Sequence, residues 1–192
     1  MVFMNRLIAY IATFYPTNKK PWHGIFFRDH AEALAEYEDV AVMHLQVPSF
    51  RQIKSLSTQI ETEPSNNVYK VRIDKPVLSH RFRYLRQKAY TRAAEKSLHL
   101  ISEYYGRQPD VLIAQCVLPA GRIAKQLSEQ TGIPYGVIDH YTFLESMFQN
   151  QSESIENVYN GAEFLAAVSQ NLKEKIKTFL KRKLKIYKIL IH

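Results

Sequence analysis

The sequence predicts an α/β fold with a parallel sheet covered by helices on both faces. Three observations predict it. Apolar runs of strand length alternate six times with helical patterns, the arrangement of repeated βαβ units. One run, DVLIAQCV at 110–117, is continuously apolar, as strands buried on both faces are. The chain has 192 residues and a single cysteine, Cys116, so an ordinary hydrophobic core must hold it without a disulfide framework.

Taken in order, RLIAYIAT (6–13) reads as the first strand, followed by a loop with Pro16, Pro21 and Gly24. Arg6 ahead of LIAYIATFY imitates a short signal sequence. Two tyrosines interrupt that run, and it meets Pro16 and two lysines without a small-residue cleavage pattern, so the strand reading stands. Residues 26–37 place apolar side chains at 26, 27, 31, 34 and 35, a helical stripe. Strands follow at 39–47 and 68–73, and the polar segment 53–67 between them reads either as a long loop or as a frayed helix. Residues 79–105 form one long helical pattern, with 82, 85, 89, 93, 100 and 104 on one face and Gly106 as its stop. After the 110–117 strand, 119–132 reads as a helix with Pro at an early position and Gly132 at its end. Residues 134–138 are a strand; a polar loop, a strand at 162–169 and a last helix from Asn171 complete the pattern.

The net charge of +8 is unevenly placed. Residues 173–192 hold eight Lys/Arg against one Glu, and residues 70–96 hold nine against two acids. The remainder is acidic, so a general nucleic-acid surface is not implied. No run reaches the roughly 20 apolar residues that cross a bilayer. The lone cysteine suits a reducing compartment, and the chain is expected to be cytoplasmic, with peripheral contact at the inner face of a membrane as an option.

In parallel α/β sheets, ligands lie beyond the carboxyl ends of the strands, where loops and helix N-termini converge. Gly24, Gln115, Asp139, His140 and Ser169 all fall at or just after a strand end. The segment GIPYGVIDHY (132–141) poses the question most sharply, because a buried strand exits into an acid, a histidine and an aromatic. Local capping answers it in one way, and a cleft edge in another.

Four segments resemble a known family. KKPWHGIFFRDHAEAL (19–34) looks like the first loop and helix of bacterial family 4 glycosyltransferases of the GT-B fold. PDVLIAQCVLPAGRIA (109–124) is similar to that family's P-D-I-I-H-A-H-x-x-x-P-A-G segment. GIPYGVIDHY is similar to its G-I-P-x-x-x-T-E-H segment, and FLAAVSQNLKEKI (164–176) to its V-S-x-x-L segment. The resemblance spans roughly residues 5–180, and it implies a single Rossmann-like parallel sheet forming the N-terminal half of a GT-B fold. It further implies a nucleotide-sugar donor, a glycan or lipid-linked acceptor, transfer with retained anomeric configuration, no metal and no separate cofactor. Bacterial surface-polysaccharide or glycolipid assembly is the implied setting.

By the same resemblance, residues 1–180 are the acceptor-side domain, and the C-terminal nucleotide-binding domain is expected to be missing. The run 181–192, KRKLKIYKILIH, lacks caps, turns and polar patterning and is expected to be an out-of-frame tail or hinge remnant of a truncated chain. Such a chain alone is expected to be inactive, because transfer needs both walls of the site together.

The candidate catalytic residues are His140 and Asp139. His140 either hydrogen-bonds the donor sugar as the leaving group departs or caps a loop. Asp139, where the family usually has Glu, either orients the imidazole or caps the turn. The candidate substrate-binding residues are Gly24, His23, Gln115 and Ser169. Gly24 feeds a helix N-terminus suited to a diphosphate, or is a turn glycine. His23 and Trp22 line the same loop, or Trp22 only packs on it. Gln115 and Ile113 depart from family histidines; Ile113 suits the core and Gln115 an acceptor hydroxyl. Ser169 touches ligand or caps the last helix.

Arg81, Arg83, Arg86, Lys88 and Arg92 beside Phe82, Tyr84 and Tyr90 suit an anionic membrane face across 79–96, or a solvated rim on a core helix. The rival function is a non-enzymatic module that binds an acceptor glycan or a separately encoded partner. A dinucleotide-dependent oxidoreductase is disfavoured, since no closely spaced glycines follow the first strand.

Overall fold

The structure, a computed structural model, describes residues 5–17, 20–48, 57–65, 67–77, 83–140, 144–180 and 186–188. It is the expected α/β fold, Rossmann-like and mostly parallel, and the chain divides into two compact units, Met1–Val111 and Leu112–His192.

In the first unit the strands are β1 (Leu7–Ala12), β2 (Asp39–Gln46), β3 (Gln59–Ser65) and β4 (Val68–Asp74), in the order β3-β4-β2-β1. β1, β2 and β4 run parallel, and β3 pairs antiparallel with β4. Every residue of β1 is buried, and so are the six interior residues of β2, which is why both read as near-continuous apolar runs. β4 alternates instead. Tyr69, Val71 and Ile73 face one way, while Lys70 and Arg72 face the other.

The helices take opposite faces. Helix α2 (Arg83–Tyr105) packs on β2 and β4, with Tyr104 stacked on Tyr69 at 3.8 Å and the Tyr105 hydroxyl donating to the Val40 carbonyl at 3.0 Å. Helix α1 (Ile25–Leu34) packs on β2 from the side that carries Lys70 and Arg72. Arg107 ties the far end together, donating to Asp110, Asp39 and the Asn5 carbonyl. Asp110 also accepts the Leu7 amide, and that bond, with Arg107, holds its carboxyl below the usual range.

In the second unit β5 (Val111–Gln115, its first residue being the last of the first unit), β6 (Tyr135–Asp139), β7 (Phe164–Ala167) and β8 (Ile186–Lys188) are all parallel, in that order. An irregular turn, Val117–Gly121, precedes helix α3 (Arg122–Thr131), which ends at Gly132 in the left-handed region. Helices α4 (Leu144–Asn160) and α5 (Gln170–Leu180) follow β6 and β7.

Several expectations are corrected. The undecided 53–67 segment contains strand β3, and its residues 53–56 and 66 lie outside the described residues. The polar loop expected after 138 is largely helix α4, which buries Ile155, Val158 and Tyr159 at i, i+3 and i+4. The helix expected from 119 begins there as a wide turn after the extended Leu118 and becomes regular α-helix at Arg122. On α2 the buried stripe runs through Ala89, Ala93, Ala94, Ser97, Leu98 and Ile101, while Leu85 and Tyr104 are 44% and 54% exposed. Residues 79–82 lie outside the described residues, as does the 181–192 tail apart from the three residues of β8.

His44 is a buried imidazole within β2, 1% exposed, accepting from the Gln46 side-chain amide at 3.0 Å. Burial, reinforced by the cations Arg72 and Lys70, pushes its pKa down to about 3, so it stays neutral while the unfolded chain protonates near the ordinary value of 6.5. The unfolded state therefore binds more protons between those values, and stability falls as pH drops from 6.5 toward 3. Denaturant titrations followed by circular dichroism at pH 7 and pH 5 are expected to show this loss, with a slope approaching ~1.4 kcal/mol per pH unit for one proton. His44→Gln is expected to lose that part of the slope; identical slopes in the two proteins would exclude His44 as its source.

Candidate functional site

β5 and β6 are apolar until they end. Their register sets Gln115 opposite Ile138, and the Cys116 amide donates to the Ile138 carbonyl at 2.8 Å. Both chains then leave the sheet with polar side chains. His140 follows the last residue of β6, and its Nε2 lies 2.9 Å from Gln115 Oε1. A carbonyl oxygen only accepts, so the imidazole carries a hydrogen on Nε2 and donates it to Gln115.

Gln115 is fully buried, and its Nε2 has no hydrogen-bond acceptor among the described residues. An unpaired buried donor of this kind costs about 1–3 kcal/mol, which a ligand oxygen reaching it would recover. Ile113, two residues earlier, is a buried core residue.

Asp139 is 1% exposed and accepts from the Tyr159 hydroxyl at 2.5 Å. Burial, and then the carboxylate itself, hold the Tyr159 phenol well above its ordinary pKa, so it remains the donor. Tyr159 on α4 is thus part of the site and was not anticipated; its spacing from Ile155 and Val158 was the available signal. Cys116 sits between the two strand ends at φ 86°, outside the usual range of non-glycine residues. Burial and the Asp139 charge raise its thiol pKa, against a smaller opposing effect of the His140 backbone amide, and it stays a thiol.

Ser169 follows β7 and accepts the Leu172 amide at 3.2 Å, an N-terminal cap on α5. Gln115, Asp139, His140 and Ser169 all belong to the second unit. Gly24 and His23 belong to the first. Gly24 caps α1 at φ 74°, and a Cβ there would stand 2.8 Å from the Phe14 carbonyl oxygen, so only glycine fits. His23 meets the Phe14 ring edge-on at 5.0 Å, whereas Trp22 beside it is 80% exposed. Among the described residues no group of three or more His, Cys, Asp or Glu is placed to hold a metal ion.

No protein-family model matches the sequence, and no curated protein does. Solved structures do match. One is described as trehalose-6-phosphate from E. coli bound with UDP-2-fluoro glucose, with a TM-score of 0.60 and 9% identity over 88% of this chain and 41% of that one. Another is an α,α-trehalose-phosphate synthase (UDP-forming) from Burkholderia xenovorans in complex with glucose-6-phosphate, with a TM-score of 0.55 and 14% identity over 93% of this chain and 44% of that one. At these identities the likeness is one of fold. The chain spans less than half the length of either structure.

Tyr159→Phe removes the hydroxyl donor from a buried carboxylate without changing the ring. A destabilisation of about 1–3 kcal/mol is expected in denaturant titrations at neutral pH. An unchanged midpoint would mean that Asp139 does not depend on Tyr159.

Proposed function

We propose that this chain is the acceptor-side half of a glycosyltransferase of the GT-B type. The observation that carries the proposal is the Gln115–His140 pair, held at 2.9 Å where two buried parallel strands end. The fold it shares with a trehalose-phosphate synthase solved with glucose-6-phosphate, and with a structure bound to a nucleotide sugar, supports the same reading. The four sequence segments support membership of family 4, and with it retention of anomeric configuration and a glycan or lipid-linked acceptor in surface-polysaccharide or glycolipid assembly.

In this reading Gln115 does two things. Its oxygen fixes the imidazole of His140, and its unpaired amide hydrogen awaits a sugar oxygen. His140 stabilises charge that develops on the donor as the glycosidic bond breaks. A donor-binding wall must complete the site. The purified chain is expected to bind ligand through this pair.

Calorimetric titration with UDP-glucose and with glucose-6-phosphate tests this. At least one is expected to bind, and His140→Ala and Gln115→Ala are each expected to weaken it about tenfold, roughly 1.4 kcal/mol. Absence of binding by both, or variants as tight as the parent, would defeat the assignment.

The surface of α2 favours membrane apposition as an accompanying role. Tyr84 and Leu85 are exposed, and Lys88, Arg92 and Lys96 continue along the same helix at four-residue spacing, with Lys88 Nζ 6.0 Å from the Tyr84 ring centroid. No helix among the described residues is long and apolar enough to cross a membrane, so contact would be with headgroups. The chain is expected to co-sediment with anionic vesicles, less so as salt rises, and not with neutral ones. Lys88→Glu/Arg92→Glu is expected to abolish it; equal recovery with both vesicle types would remove this role.

A further inference from the structure

The first unit contains a pocket of about 550 Å³ that plays no part in the reading above. Its floor and walls come from β2, β3 and β4, with α1 and the loop after β1 closing over them. Three cations, Arg28, Lys70 and Arg72, and three carboxylates, Glu32, Glu61 and Glu63, line it.

These charges are matched in pairs. The antiparallel register sets Glu61 opposite Arg72 and Glu63 opposite Lys70. Lys70 Nζ donates to Glu63 at 2.5 Å and Arg72 Nη1 to Glu61 at 3.1 Å, while Arg72 also forks onto Asp74 at 2.7 and 3.1 Å. Arg28 binds Asp29 at 2.8 Å and lies 3.8 Å from Glu32. His44 in the floor adds no charge, because burial keeps it neutral. Lys70 and Arg72 are about three-quarters buried, Arg28 is more exposed at 38%, and the acids of β3 are mostly exposed at the rim.

The arrangement selects a chemistry. Because cations and carboxylates alternate in matched pairs, a lone anion would meet repulsion from the adjoining carboxylates and a lone cation repulsion from Lys70 and Arg72. A hydroxyl group has no such conflict, since it donates to a carboxylate oxygen and accepts from a neighbouring ammonium or guanidinium. Lys70 and Arg72 lie two residues apart on one face, so the wall repeats donor and acceptor at roughly 7 Å along the strand. Tyr15, Pro16, Pro21 and Val68 add apolar surface for the C–H face of a ring. The volume falls within the usual range for small-molecule sites.

We propose that this pocket is a carbohydrate site, taking an uncharged polyhydroxylated ring between the β3–β4 ion pairs and α1. The proposal is independent of the transferase reading. It needs neither Gln115 nor His140, and the two readings fail separately.

Heteronuclear NMR titration of the full chain with D-glucose, D-galactose, D-mannose and N-acetyl-D-glucosamine, each to tens of millimolar, tests it. At least one sugar is expected to shift the backbone amides of residues 59–63 and 70–72 saturably. Glu61→Gln/Glu63→Gln is expected to weaken that sugar at least tenfold. The same variant leaves Lys70 and Arg72 without those carboxylates, so it is expected to bind inorganic phosphate more tightly than the parent does. Lys70→Gln, which attacks the other partner, is expected to weaken the sugar without the gain in phosphate binding, and it serves if the double variant fails to fold. No shift with any of the four sugars, shifts confined to other residues, or parent binding of phosphate in preference to all four would overturn the proposal.

Discussion

The backbone register between β5 and β6 is the constraint on which the candidate site depends. Strands buried on both faces hold polar side chains cheaply only where they end. Pairing Gln115 with Ile138 aligns those two ends, and the Cys116 amide extends the ladder by one bond before the chains diverge. His140 is thereby delivered within hydrogen-bond reach of Gln115. A slip of one residue would turn the side chains of β6 to the other face and separate the pair. The next strand repeats the scheme: Ala167 pairs with Asp139, and the chain then turns through Ser169 into α5.

Elements whose sequence signal is their own burial were legible. β1, β2, β5 and β6 lie within a residue or two of where their apolar runs place them. What was not legible depends on a partner. β3 exposes most of its side chains and has no apolar face, so it exists as a strand only because β4 supplies its ladder and its counter-charges. Helix α4 hides three buried side chains among glutamines, asparagines and serines, and a kink at Gln151 interrupts its period. The same split runs through the site. Gln115 and His140 were visible as polar residues at strand exits. Tyr159 was not, because its role is fixed by a helix that the local pattern conceals.

The basic block at 70–96 shows how little net charge says before pairing is known. Lys70 and Arg72 are held against the sheet by carboxylates from a neighbouring strand. Lys88, Arg92 and Lys96 project from α2 on its exposed side. Within one stretch of sequence, some cations are structural and the others are available to a partner. Exposed surface pairs contribute little to stability, so the value of Lys70 and Arg72 to the molecule rests on geometry more than on energy.

Trp22 is the sole tryptophan, and its indole stands almost wholly in solvent on the segment that leads into Gly24. Its native fluorescence will already be red-shifted like that of a free side chain, so emission wavelength makes a poor gauge of unfolding. The same placement turns it into a local optical probe: quenching or a blue shift would signal that something has settled on that segment while the rest of the molecule stays intact.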